Sequence, residues 1–224
     1  MAKPIQHSFS ALTTFEQCPK KYYHLKIAKD VKDSMSSAGD YGVSGHKHFE
    51  NRLLKGTKLP MDLVHHEPVL SKLANARGEG LPEQKLAINK DFQPTGFFDR
   101  DVWLRAVIDY VKIDGETAII VDHKFGKMKD DFTQVRLCAA VFSCFEPRVK
   151  DYHAAYYWAK EKKLTRQLVK NADVPEIWAE MLPRFEAIDE AAKTTDFPAR
   201  KNGLCKAYCP VVSCVHNGKN KNAA

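Results

Sequence analysis

The chain has 224 residues, of which 44% are hydrophobic and 28% are charged, a composition that is typical of a globular protein and excludes disorder over most of its length. No stretch approaches the roughly 18 continuous apolar residues of a membrane span, and residues 1–8 lack the apolar block of a secretory signal, so we expect a cytoplasmic protein. The net charge of +7 suits a polyanionic partner such as nucleic acid, although many soluble proteins carry a similar excess of lysine.

The first third of the chain is predicted to be mainly helical. A turn leads into a helix within residues 1–30, and a loop rich in serine, glycine and charge is expected over 32–45. Apolar residues at helical spacing then predict helices over 46–54 and 62–76.

Three strands are predicted next, and Asp114-Gly115 marks a hairpin between the second and the third. The third contains the apolar run 118–121, which is typical of a strand covered on both faces. This order predicts a mixed α/β fold around one sheet, as a single domain over residues 1–224 with a frayed tail over about 215–224. The predicted ranges are 84–88, 103–113 and 117–125 for these strands, 132–145 for a helix, 152–159 and 164–169 for a second hairpin, and a last helix after Asp173.

Acidic residues lie at the ends of two predicted strands. Asp109 ends one apolar run, and Asp122 ends the next with Lys124 on the same face, because residues two apart in a strand point the same way. The hairpin brings the two carboxylates together, where they repel each other unless a cation such as Mg²⁺ or Mn²⁺ lies between them. A metal and a lysine on one face fit phosphodiester hydrolysis. The alternative is an Asp–Lys ion pair on a solvated edge, which the preceding apolar run disfavours.

The six cysteines are the second informative group. Disulfides are rare in the cytoplasm, so grouped cysteines are first tested as metal ligands. Cys205, Cys209 and Cys214 lie within ten residues of one another. Cys138 and Cys144 fall on a predicted helix and are expected to be core residues.

Several segments resemble, in the same order along the chain, motifs of the PD-(D/E)XK nuclease superfamily. They resemble in particular its RecB-like branch, which includes RecB-type exonuclease domains, CRISPR-associated adaptation nucleases and many phage exonucleases. The resemblance covers residues 9–214, with Cys138 where an aromatic residue is frequent and Ile108 in place of the proline before the first aspartate. The matching segments are Phe9 to Leu12 with Cys18 to Tyr22, Gly42-x3-His46-x3-Glu50, Glu83, Asp109, Asp122-His123-Lys124 and Gln134.

The resemblance implies a restriction-endonuclease-like fold, with a mixed β-sheet core flanked by helices and with N- and C-terminal segments joined by a metal cluster. It also implies the roles of the site residues. His46, Glu83, Asp109 and Asp122 would hold one or two Mg²⁺ or Mn²⁺ ions, Lys124 would assist the attacking water or stabilise the transition state, and Gln134 would position the site.

Three neighbouring residues bear on this assignment. His48 is the rival of His46, but it lies two residues further along the helix and points elsewhere. Glu79 is the rival of Glu83, which the adjoining strand favours. His123 is expected to face away from the site, because it lies between Asp122 and Lys124 on a strand.

The resemblance further implies that four cysteines bind a [4Fe–4S] cluster, which would fasten the N-terminal helix to the C-terminal segment. These are Cys18, Cys205, Cys209 and Cys214. The spacing of the last three shifts the middle cysteine by one position from the usual pattern. A four-thiolate zinc site, in which His216 could replace one ligand, is one alternative, and unliganded thiols are the other.

Together, these residues predict a metal-dependent deoxyribonuclease in the cytoplasm of a bacterium or of a phage-infected cell. Its partner would be DNA with single-stranded or duplex ends, and exonuclease action follows from the resemblance alone. The alternatives are a nucleic-acid-binding module with an inactive nuclease fold, an iron–sulfur redox or sensing protein, and an endonuclease or CRISPR-adaptation-type nuclease. Lys20, Lys21, Lys127 and Lys129 are candidates for phosphate contact.

Overall fold

The computed structural model describes residues 5–33 and 37–220. These residues form two compact units, each described by itself. The first unit contains residues 5–6 and 37–180 and carries a six-stranded sheet. The second contains 7–33 and 181–220, so it is built from both ends of the described chain.

Helices flank the sheet and also occur in the second unit. Within the described residues, no helix combines the length and the hydropathy needed to cross a bilayer. A π-helical turn over Tyr23–Ala28 extends α2, and 3₁₀ turns over Val64–His66 and Asn171–Asp173 precede α4 and α6. The helices are α1 (Phe9–Gln17), α2 (Pro19–Tyr22), α3 (Ser37–Lys55), α4 (Glu67–Asn75), α5 (Thr133–Ser143) and α6 (Val174–Thr194).

The sheet is mixed, which confirms the predicted fold class. Its strands are β1 (Glu79–Ile88), β2 (Pro94–Thr95), β3 (Leu104–Asp114), β4 (Thr117–Lys124), β5 (Asp151–Trp158) and β6 (Lys163–Lys170). The spatial order is β2-β1-β3-β4-β5-β6, and all neighbours are antiparallel except β4 and β5, which are parallel and connected through α5. Helix α3 packs against β1 and β3, and α5 packs against β4 and β5. This is the restriction-endonuclease-like arrangement of a sheet flanked by helices.

Strand β4 lies at the centre of the core. Ala118, Ile120 and Val121 have no exposed surface, so the prediction of a strand covered on both faces is confirmed. The buried face of α5, which includes Val135 and Ala139, covers one side. The carboxylates at the end of this strand are therefore held by a rigid, buried part of the backbone.

The predicted loop over 32–45 is wrong for residues 37–45, which form the first half of α3. Glycine disfavours a helix, but Gly42 and Gly45 lie against Phe125, the residue after β4. A Cβ on Gly45 would lie 2.3 Å from atoms of the Phe125 ring. Packing of this ring offsets the poor intrinsic helix propensity and brings α3 close to the end of β4.

A buried histidine in the first unit is expected to lower its stability in acid. His66 is 2% exposed, and its Nδ1 lies 2.7 Å from the hydroxyl of Tyr157. Burial lowers the pKa of His66 to about 4 from 6.5, and the neighbouring His65 and Lys162 lower it further. The unfolded chain therefore takes up a proton at a higher pH than the folded chain does, and folding stability should fall as the pH decreases from 6.5 towards 4.

We expect the substitution His66→Gln to weaken this pH dependence, because an amide does not titrate but can still hydrogen-bond to Tyr157. The measurement is the thermal unfolding midpoint of both proteins across that pH range. His123, whose pKa burial lowers to about 4, acts in the same direction, so some dependence should remain. An unaltered slope in His66→Gln would contradict the prediction.

The second unit is held together by contacts between its N- and C-terminal segments. Ser8 caps α1 by accepting a hydrogen bond from the N–H of Ala11 at 3.2 Å. The guanidinium of Arg184 contacts both carboxylate oxygens of Glu16, at 2.6 and 2.8 Å. The Tyr22 ring stacks on Phe197, with ring centroids 6.2 Å apart.

Asn217 lies within the stretch from about 215 that is predicted to fray. It is 3% exposed, and its side-chain amide donates to the carbonyls of Cys209 and Val211 at 2.9 Å. Residues 221–224, the rest of that prediction, lie outside the described residues.

Candidate active site

Three acidic residues occupy one row across neighbouring strands of the first unit. The pairs on either side of Glu83 place it opposite Asp109 on β3. Tyr110 of β3 pairs with Val121 of β4, so the next position along the two antiparallel strands places Asp109 opposite Asp122. The hairpin thus brings together the carboxylates that the sequence singled out. Glu79, the rival of Glu83, pairs with Ile113 and lies four positions along β3 from this row.

Asp109 is the centre of the site. Its Oδ2 accepts a hydrogen bond from the backbone N–H of His123 at 2.7 Å and lies 3.1 Å from Nδ1 of His46. Burial alone would raise the pKa of Asp109, but the hydrogen bond with His46 and the nearby imidazoles hold it below its ordinary value. Burial would lower the pKa of His46, and its bond to Asp109 raises it instead. Asp109 is therefore ionised at neutral pH and ready to bind a cation.

His123 is a site residue that sequence reasoning missed. We expected it to face away, yet its Nδ1 lies 3.5 Å from Oδ2 of Asp109 and its ring is 1% exposed. Alternation along β4 predicts that the His123 side chain points to the opposite face from that of Asp122. It does not predict how close His123 lies to Asp109 on the neighbouring strand β3. Its Nε2 is buried without a hydrogen-bond partner in the described residues. His46, Asp109 and His123 offer ligand atoms within 4.8 Å of one another.

Glu83 lies in an open cleft beside Asp109. Its backbone is left-handed (φ 42°), which is unusual for a residue other than glycine and is typical of strained functional positions. The hydrogen bond from Lys85 at 2.8 Å and a further one with Glu50 lower its pKa, and Lys47 lies 4.0 Å away. The cleft has a volume of about 320 Å³ and is lined by Val43, His46, Lys47, Glu50, Glu83, Val107, Asp109 and His123.

Asp122 forms a closed set of contacts with Lys124 and Gln134. The ammonium of Lys124 lies 2.8 Å from its Oδ2, and the Gln134 amide donates to its Oδ1 at 2.7 Å. Lys124 also donates to Oε1 of Gln134 at 2.8 Å. Burial raises the pKa of Asp122 to about 6, although the charge of Lys124 opposes the shift. Lys124 and Gln134 therefore both contact this carboxylate.

The donor set combines carboxylates with imidazoles. Asp109, Asp122 and Glu83 belong to one row. Among the described residues, the group whose ligand atoms lie within 4.8 Å of one another is His46, Asp109 and His123. Carboxylate oxygens favour Mg²⁺ or Mn²⁺. The half-buried Asp109 and the buried Asp122 also repel each other, and a bound cation would remove that repulsion.

The four predicted cluster cysteines all belong to the second unit. Cys18, Cys205 and Cys214 are buried, and Cys209 is half-buried. Burial raises the pKa of Cys209, and Cys205 and Cys18 are close enough to raise it further. Backbone N–H groups donate to three of the sulfurs, from Arg200 to Cys18 at 3.4 Å, from Asn202 to Cys205 at 3.3 Å and from Val211 to Cys209.

The sulfurs of these cysteines are not in close contact as a set. Among the residues that the structure describes, no three of these thiols lie within 4.8 Å of one another.

Comparison with known proteins agrees with the geometry. The sequence profile of the PD-(D/E)XK nuclease superfamily matches residues 6–214. No curated protein sequence matches the chain. Sixteen chains of solved structures match it, and one of them, titled "Crystal structure of SSO0001", has a TM-score of 0.43 and 13% identity, over 96% of this chain and 87% of that chain.

Proposed function

The chain belongs to the PD-(D/E)XK nuclease superfamily, whose members are metal-dependent nucleases, and from this premise we propose that it is a Mg²⁺- or Mn²⁺-dependent deoxyribonuclease that degrades DNA from single-stranded or free ends. The observation that carries the proposal is the row of Glu83, Asp109 and Asp122, with His46 on Asp109 and Lys124 on Asp122. Exonuclease action, as opposed to internal cleavage, rests on the resemblance of the motifs to the RecB-like branch.

His46, Glu83, Asp109 and Asp122 are the proposed metal ligands, and His123 is a further candidate beside Asp109. When bound, a divalent ion polarises the scissile phosphate and lowers the pKa of the attacking water. Asp109 supplies the charge that attracts the cation, because its neighbours keep it ionised. Water adds to phosphorus, the bond to one sugar oxygen breaks, and the departing oxygen takes up a proton.

Lys124 is proposed to act on the water or the phosphate, and Gln134 is proposed to position Lys124 and Asp122. The Lys124 ammonium lies on the same face as Asp122 and is 30% exposed, so it can orient the water or neutralise charge that develops on the phosphate oxygens. Gln134 bonds to both partners and holds them in register. Gln134 is therefore a positioning residue and takes no part in the bond-breaking step.

The second unit is proposed to hold a [4Fe–4S] cluster on Cys18, Cys205, Cys209 and Cys214. Burial of three thiols and the backbone donors to the sulfurs support a site at these cysteines, and the choice of an iron–sulfur cluster rests on the resemblance of the motifs to the RecB-like branch. The cluster would have a structural role, because its ligands come from both the N-terminal and the C-terminal segments of the unit and would join them. Such a site suits a cytoplasmic location, where thiols stay reduced.

The test of the proposed function is incubation with end-labelled linear DNA and with circular single-stranded DNA in Mn²⁺. We expect the linear strand to be degraded to short products, the circle to persist, and EDTA to stop the reaction. Cleavage of the circle would show an endonuclease instead. Binding of DNA without any degradation in Mn²⁺ or Mg²⁺ would favour the inactive-fold alternative.

A further inference from the structure

A second cavity opens on the first unit beside the metal-binding row. It has a volume of about 240 Å³ and is lined by Tyr41, His65, His66, Phe125, Ala159 and Lys160. Tyr41 is 47% exposed, and its ring meets Phe125 edge to face at 6.0 Å between centroids. Two aromatic rings and two imidazoles thus surround a space that also has a cationic side chain at its edge.

Phe125 connects this cavity to the metal-binding row. It follows Lys124 directly in the chain, and its ring centroid lies 5.3 Å from that of His46. The packing of the ring against Gly45 holds it in place. One ring therefore separates the cavity from the imidazole that contacts Asp109. A group bound in the cavity would therefore lie next to the proposed metal site.

The chemistry of the lining fits one nucleotide. Aromatic rings accept a nucleobase by stacking, and a lysine beside them suits the attached phosphate. His66 forms part of the wall as a neutral imidazole at neutral pH and offers hydrogen bonding without charge. The volume of the cavity, about 240 Å³, admits a single base.

We propose that this cavity binds the unpaired base of the nucleotide next to the cleaved bond, with Tyr41 and Phe125 contacting the base and Lys160 contacting its phosphate. The inference rests on the proposed nuclease function and makes it more specific. A base can enter the cavity only when it is free of its complement, so strands are cut where they are single. The site thereby selects single-stranded DNA at the nucleotide level.

The test uses an end-labelled single strand in which one abasic nucleotide is moved along the sequence, one position per substrate. In the wild-type protein, cleavage should slow roughly 5-fold or more at the one bond that lies at a fixed distance from the abasic position. In Tyr41→Ala, the unmodified strand should be cut as slowly as the abasic one, so the penalty disappears. Tyr41→Phe keeps the ring and should keep the penalty.

Two further variants separate base contact from other effects. Phe98→Ala removes another exposed ring of the same unit that does not line the cavity, and its abasic profile should match the wild type. Lys160→Ala should weaken the binding of strands with and without bases alike, because phosphate contacts do not depend on the base. A flat abasic profile in the wild type, or a penalty that persists in Tyr41→Ala, overturns the inference while nuclease activity stands.

A protein that cleaves no strand contradicts the proposed function instead. The cavity is then tested by the affinity for a short single strand in EDTA, compared with its fully abasic counterpart. Tyr41→Ala should weaken the binding of the strand with bases and leave the abasic strand unaffected. Equal losses for both strands would overturn the base-binding inference.

Discussion

Replacing Asp122 with asparagine is expected to lower the rate of phosphodiester cleavage by about 10³-fold, equivalent to about 4 kcal/mol of transition-state stabilisation. The carboxylate is proposed to share a metal ion with Asp109, and asparagine lacks the charge that the ion requires. The side chains are equal in size, and the asparagine carbonyl can still accept the hydrogen bond from Gln134. The measurement is the single-turnover cleavage rate in Mn²⁺, with a thermal melt to show that the fold persists.

The control for Asp122→Asn is Asp114→Asn. Asp114 ends β3 in the same hairpin, is exposed and pairs only with Arg77 at 3.4 Å among the contacts described for it. Its substitution should leave the cleavage rate within about 2-fold of the wild type, since surface charges contribute little. If Asp122→Asn retained comparable activity, the row of acids would not be the catalytic site.

Replacing Cys18 with serine is expected to prevent binding of the proposed [4Fe–4S] cluster and to destabilise the second unit. The iron content should fall from about four atoms per chain to a small fraction, together with the broad visible absorption of the cluster. Cluster binding is coupled to folding, so the unit should unfold at a lower temperature than in the wild type. Iron analysis and thermal unfolding followed by circular dichroism measure both effects.

Cys144→Ser is the matched control for the cysteine substitution. Cys144 is half-buried at the end of α5 in the first unit and belongs to no proposed metal site. Its substitution should keep iron and absorption at wild-type levels. Zinc in place of iron in the purified wild type would support the four-thiolate zinc alternative, and the absence of both metals would leave unliganded thiols.

The order of elements around the sheet follows from the sequence because hydrophobic period and turn residues are local signals. The hairpin at Asp114-Gly115 and the covered strand β4 were predicted for that reason. The first half of α3 was missed because its stability comes from Phe125 resting on Gly45, a contact between residues far apart in the chain. The two-residue β2 was missed because it is too short to show any period.

The candidate site was predicted in its residues but not in all of its contacts. The acids and Lys124 were found because their spacing on strands places them on one face. The approach of His123 to Asp109 depends on how two strands diverge at their ends, which no local pattern encodes. Glu83 was identified by motif, while its left-handed backbone and its pairing with Lys85 became visible only in three dimensions.

The second unit draws its residues from both ends of the described chain, and this has a consequence for biosynthesis. During translation Cys18 emerges early, but Cys205, Cys209 and Cys214 emerge only after the entire sheet has left the ribosome. Insertion of the proposed cluster would therefore follow synthesis of the chain through Cys214. A product terminated before these cysteines would contain the acidic residues of the candidate site, but its N-terminal helices would lack the C-terminal segment of the second unit and would be exposed to cellular proteases.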